Sequence, residues 1–184
     1  MNLVSRLLAA AATVATLSAQ AFPIAPAGTE GFSVVVGSTG PVVARYEGNS
    51  AAFSNNLFLN STFIFNNQTS AVGSMVDLGS FAAGTELIFR LQVTNTGFDY
   101  FTGPASRNPD GQAHARVQDN FEPGRTLVSF EDLFNGPFDF NDLSFSFTNT
   151  RSVVVSPIPE PETYAMLLAG FAALGAWSRR RKPA

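Results

Sequence analysis

Between Phe22 and Ser156 apolar residues recur with a period of two, and no stretch sustains the 3.6-residue period of a helix. Residues 86–94 show it most clearly: Leu87, Phe89, Leu91 and Val93 fall on one face, Arg90, Gln92 and Thr94 on the other. Leu143, Phe145 and Phe147 repeat the pattern against Ser144 and Ser146. Residues 32–36, 42–46, 62–65, 113–118, 127–130 and 153–155 read as further strands, with 57–59 a weaker one. Gly37 to Gly40, Asn66–Asn67, Asn95 to Gly97, Asn108 to Gly111 and Asn135 to Pro137 supply the turns between them. Many short strands with turn signals predict an all-β, single antiparallel β-sandwich, jelly-roll-like, spanning residues 22–156.

A sandwich needs a core, and the chain has the material for one: 45% hydrophobic residues, including 18 Phe. Most of these Phe occupy alternating strand positions and read as core; Tyr100 and Phe101, after Asp99 in an expected loop, are the candidate exposed aromatic group. There is no cysteine, so no disulfide braces the domain, which must hold together through its core or a bound ion. Thiol catalysis and thiolate metal sites are excluded with it.

The two ends are of a different kind. Residues 1–6 are a short start carrying Arg6, residues 7–17 are uniformly apolar, and Ala19 and Ala21 place small side chains where a signal peptidase inspects them. Residues 1–21 are therefore expected to be a signal peptide, cut before Phe22. At the other end, Pro159, Glu160 and Pro161 precede the apolar residues 163–178 and the basic cluster Arg179, Arg180, Arg181 and Lys182. By the positive-inside rule this arrangement predicts a stop-transfer transmembrane helix with its cluster in the cytoplasm and the rest of the chain outside.

Those three parts in order, across residues 157–184, resemble the PEP-CTERM sorting signal. The resemblance implies an exosortase as processing partner, a cut near Pro159–Glu160–Pro161 after transient inner-membrane anchoring, and delivery to the cell surface or the exopolysaccharide of a biofilm matrix. Polysaccharide is then the candidate surface partner.

Charge is unevenly spread. Of eleven basic residues, Arg6 and Arg179 to Lys182 belong to the ends, which leaves six arginines against twelve acids between Glu30 and Asp142. An acidic exported domain argues against nucleic acid and suits divalent cations. Glu131, Asp132, Asp139, Asn141 and Asp142 crowd one stretch around a Gly-Pro turn. Carboxylate and amide oxygens are the ligands a hard cation prefers, which makes calcium the candidate cofactor; the spacing is not that of an EF-hand. The competing reading is a polar hairpin whose Asp and Asn side chains bond to their own backbone.

Asn108 to Gly111, His114, Phe130 to Leu133 and Asp139 to Leu143 resemble secreted bacterial β-domains of the domain of unknown function 4114 family. Residues 134–138 replace that family's Gly-rich middle. The resemblance bears on fold and location, since the family has no established activity. His114, the only histidine, sits between two alanines and reads as structural. With no Gly-x-Ser-x-Gly elbow and the carboxylates confined to one loop, no catalytic residue is expected and the chain is not expected to be an enzyme. The expected role is a non-catalytic surface protein; the alternative is a calcium-dependent glycan-binding or adhesin module.

Overall fold

The computed structural model describes residues 21–154 together with helical positions 166, 168–171 and 174. Among the described residues twelve strands run β1 (Ser33–Val36), β2 (Gly40–Gly48), β3 (Asn55–Leu59), β4 (Thr62–Asn66), β5 (Met75–Phe81), β6 (Glu86–Leu87), β7 (Phe89–Val93), β8 (Asp99–Phe101), β9 (Ala115–Glu122), β10 (Arg125–Phe130), β11 (Leu143–Thr148) and β12 (Thr150–Val153). They form three sheets, ordered β5-β2-β11-β10-β9, β4-β3-β7-β8 and β12-β1-β6. Every pairing is antiparallel. The helical content of residues 21–154 is one 3-10 turn, Ala105–Arg107.

One core cluster draws on all three sheets: Val42, Phe145 and Val128 from the first, Leu57, Leu91 and Val93 from the second, Val34 and Leu87 from the third. Phe89 joins the two larger sheets, stacking on Phe147 with centroids 4.2 Å apart and meeting Phe145 edge-on at 5.6 Å. This is the inward face that the alternation at 86–94 and 143–147 marks out.

Several expected boundaries move. The strand over 86–94 breaks at Ile88, which is half exposed; β6 pairs with β1 and β7 with β3, so one continuous apolar alternation serves two sheets. Residues 75–81 carry Asp77, Gly79 and Ser80 and give no clear signal, yet they form the edge strand β5. The expected strand at 153–155 lies earlier, as β12, because its register against β1 runs from Thr150 to Val153; Val155 is outside the described residues. Asp99 to Phe101 are a strand and not a loop, and Tyr100 points into the core, fully buried.

The segment leading into β1 is fastened to the larger sheet. Ala25 N–H donates to Ser129 Oγ at 2.9 Å, and Phe22 lies against Gly48 so closely that a Cβ there would come within 2.6 Å of it. Only glycine fits that approach, and its φ of +136° also favours glycine.

Phe89→Ala is expected to cost about 3–5 kcal/mol in chemical denaturation, because it removes the ring between the two larger sheets. A loss below about 1 kcal/mol would show that the sheets do not depend on this contact.

Candidate metal centre

β10 and β11 pair from Arg125 opposite Thr148 to Phe130 opposite Leu143, and the acidic loop, residues 131–142, connects them. Hairpin pairing therefore brings Glu131 and Asp142 side by side, and Asp142 N–H donates back to the Phe130 carbonyl at 3.1 Å. The Glu131 carboxylate folds into its own loop and accepts the backbone N–H of Leu133 (3.0 Å), Asp139 (3.1 Å) and Phe140 (3.3 Å). Asp142 Oδ2 accepts Asp132 N–H at 2.8 Å.

Of the five candidate ligands, Glu131, Asp139 and Asp142 each bring a carboxylate oxygen into a group lying within 4.8 Å of one another. Asp132 turns the other way: its Oδ2 accepts Asn55 Nδ2 from β3 at 2.7 Å. Asn141 donates its Nδ2 to Asp139 Oδ2 at 2.6 Å, which leaves its Oδ1 available. All five line a cavity of about 330 Å³, with Ser50, Phe53 and Pro137 among its other walls.

Glu131 is fully buried, Asp132 and Asp142 nearly so, and Asp139 is exposed. Among the described residues, no arginine lies within ion-pair distance of any of the four. Burial, then the nearby Asp142 charge, pushes the Glu131 carboxyl up to about 8. Burial also raises Asp142, to about 6, against the lowering effect of the Asp132 N–H bond, and it raises Asp132. Each shift has the same origin: ionisation here places negative charge where water is scarce.

Behind the loop sits His114, fully buried at the entrance to β9. Its Nδ1 lies 2.9 Å from the Glu131 carbonyl oxygen and its Nε2 2.9 Å from Asp110 Oδ2. Burial pushes Asp110 up, but the Asn135 N–H, His114 and Gln112 N–H bonds outweigh it and hold the carboxyl low. Both ring nitrogens thus lie within hydrogen-bond distance of an oxygen. The ring stacks on Tyr100 at 3.7 Å and meets Phe138 edge-on. His114 braces the loop from inside; its nitrogens are committed to Glu131 and Asp110.

Sequence reasoning missed Asn55 and placed Tyr100 at the surface. Asn55 Oδ1 and Tyr100 Oη are fully buried without a hydrogen-bond partner. Burial, then the charges of Asp110, Asp132 and Glu131, raises the Tyr100 phenol to about 12. An Asn within β3 carries no signal in sequence, because its relevance comes from Asp132, far along the chain.

Comparison with known proteins bears on the other end of the molecule. Residues 157–182 match the PEP-CTERM protein-sorting motif. The motif implies export, an exosortase as processing partner, and transient membrane anchoring before release at the cell surface. No curated protein and no solved structure matches the chain. Pro159, Glu160, Pro161, Arg179, Arg180 and Arg181 fall inside the matched residues but outside the structurally described ones. Ala19 also lies outside the described residues, and Ala21 is described and exposed. Among the described residues, no helix is long and apolar enough to cross a membrane. Met166, Leu168, Phe171 and Leu174 are helical and exposed.

The raised carboxyls set a pH dependence for the metal-free protein. Their folded values exceed the unfolded ones, so the native state binds more protons and stability falls as pH rises from about 4.5 to about 8. Asp110, Glu30 and Glu86 are held low and act below that window. With EDTA present, the denaturation midpoint is expected to decline from pH 5 to pH 8. A flat or rising midpoint contradicts it.

Proposed function

We propose that this is an exported surface protein, processed by an exosortase and retained in the exopolysaccharide matrix as a non-catalytic β-sandwich that binds one calcium ion. The observation that carries the reading is the sorting motif at residues 157–182. The signal-peptide pattern ending at Ala21 supplies the matching entry to the export route, with residues 22–156 as the delivered domain. The shared core of the two larger sheets supports a sandwich, and the resemblance of residues 108–114 and 130–143 to secreted β-domains of unknown function 4114 supports the same fold and location.

Calcium is supported by the donor set. Ca²⁺ takes about six to eight oxygens. Glu131, Asp139 and Asp142 offer one each within 4.8 Å of one another, and Asn141 Oδ1, loop carbonyls and water complete the shell. The cation supplies the positive charge that the loop lacks among the described residues. A non-catalytic role is supported by the same geometry, since the Glu131 oxygens already hold three backbone N–H groups.

Two experiments test the two halves. Glu160→Ala is expected to leave membrane insertion intact and block release, read as an unprocessed membrane-bound band; release as efficient as wild type rejects exosortase processing. Millimolar Ca²⁺ is expected to raise the melting temperature of the exported protein and EDTA to lower it. A hundredfold excess over the dissociation constant corresponds to about 2.7 kcal/mol. Asp139→Ala is expected to abolish the difference with little change in the EDTA melt. Superimposable melts with and without Ca²⁺ favour the plain polar hairpin.

A further inference from the structure

The four-stranded sheet has one face in the core and one face in water, and the outward face is not an ordinary polar surface. Leu57, Phe89, Leu91, Val93 and Tyr100 point inward. The register places the outward residues in two adjacent rows across the strands. Phe63 lies opposite Phe58, Phe58 opposite Arg90, and Arg90 opposite Phe101; Asn66 lies opposite Asn56, Asn56 opposite Gln92, and Gln92 opposite Asp99. A register shift between Leu57 and Phe58 brings Phe63 opposite Phe58.

Both rows are internally fixed. Phe63 meets the Phe58 ring edge-on at 5.8 Å, and the Arg90 guanidinium lies over the Phe58 ring at 4.3 Å. Arg90 Nη1 donates to Asp99 Oδ1 at 2.9 Å, Asn66 Nδ2 to Asn56 Oδ1 at 2.8 Å, and Asn56 Nδ2 to Gln92 Oε1 at 3.3 Å. After these bonds, a donor at Gln92 Nε2 and an acceptor at Asp99 Oδ2 make no hydrogen bond within the described residues and face solvent. Phe63 is 51% exposed, which serves no core.

We propose that this face binds a neutral polysaccharide chain lying across the strands. Phe63, the most exposed ring of the row, offers an aromatic surface to the C–H bonds of a sugar ring, whose positive edge matches the negative face of an aromatic ring. The amide row offers hydroxyl groups one donor and one acceptor beside it. Arg90 and Asp99 cancel in charge, so the face selects no charged polymer. A second copy of the chain fits less well, because it would desolvate Asp99 and the three amides of the adjacent row. The proposal takes its ligand class from the matrix reading above and adds the surface that contacts it.

The test is affinity electrophoresis of the exported protein through gels containing the exopolysaccharide of the producing strain, with parallel recovery of the protein from the matrix fraction. Wild type is expected to be retarded and monomeric by sedimentation. Phe63→Ala is expected to weaken binding about tenfold, the equivalent of ~1.4 kcal/mol, and Gln92→Ala to weaken it also, both with unchanged melting curves. Phe63→Trp is expected to bind at least as well as wild type. Matrix recovery with undiminished binding by Phe63→Ala and Gln92→Ala overturns this face as the site while leaving the matrix reading intact. Absence of wild type from both gel complex and matrix overturns both. A dimer that Phe63→Ala dissociates assigns the face to self-association and overturns the proposal.

Discussion

The Glu131 carboxylate carries an unusual share of the architecture at one end of the molecule. Its side chain holds three backbone N–H groups of the loop, its carbonyl oxygen holds His114 Nδ1, and its own N–H donates to the His114 carbonyl. Through His114 it reaches Asp110 and the Tyr100 ring; through the adjacent Asp132 it reaches Asn55 on β3. A carboxylate that replaces a run of backbone pairing must be buried to do so, and burial raises the cost of its charge. Two solutions exist: the group keeps a proton, or a cation enters. The raised Glu131 and Asp142 carboxyls describe the first, and the three oxygens converging beside an open cavity make room for the second.

How much of this the sequence shows depends on how local each feature is. The inward row Leu143, Phe145 and Phe147 is written into five consecutive residues, whereas the equal burial of Ser144 and Ser146 between them is not. The acidic loop is equally visible as composition. Which of its oxygens converge is not visible, since that depends on the register of β10 against β11 and on Asn55, 77 positions from Asp132. Ile88 shows a different limit: the alternation passes through it unbroken, yet the two halves pair with different sheets, a choice made by β1 and β3. Phe58 and Phe63 have the residue type of core strands and lie outside, because the bulge in β3–β4 pairing turns Phe63 toward solvent. Tyr100 is the reverse case, an aromatic in what reads as a loop that closes the core above His114.

The two ends of the chain obey another logic. A sorting signal is read as a linear address by export machinery, so its proline-flanked glutamate, apolar run and basic cluster are legible without any tertiary contact, and the family motif coincides with them at residues 157–182. The domain between the ends carries no comparable linear address for its own role. Its function has to be read from surfaces assembled by pairing: the acidic cavity at one end and the aromatic and amide rows on the outer face of the four-stranded sheet.

If proton and cation share the pocket, calcium binding must displace protons. Calorimetric titration of the exported protein with Ca²⁺ near pH 6.5, in two buffers of different ionisation enthalpy, measures this directly. The account predicts a single site per chain whose apparent heat differs between the buffers by the release of protons from the Glu131 and Asp142 carboxyls. Absence of binding, or binding with identical heats in both buffers, contradicts it.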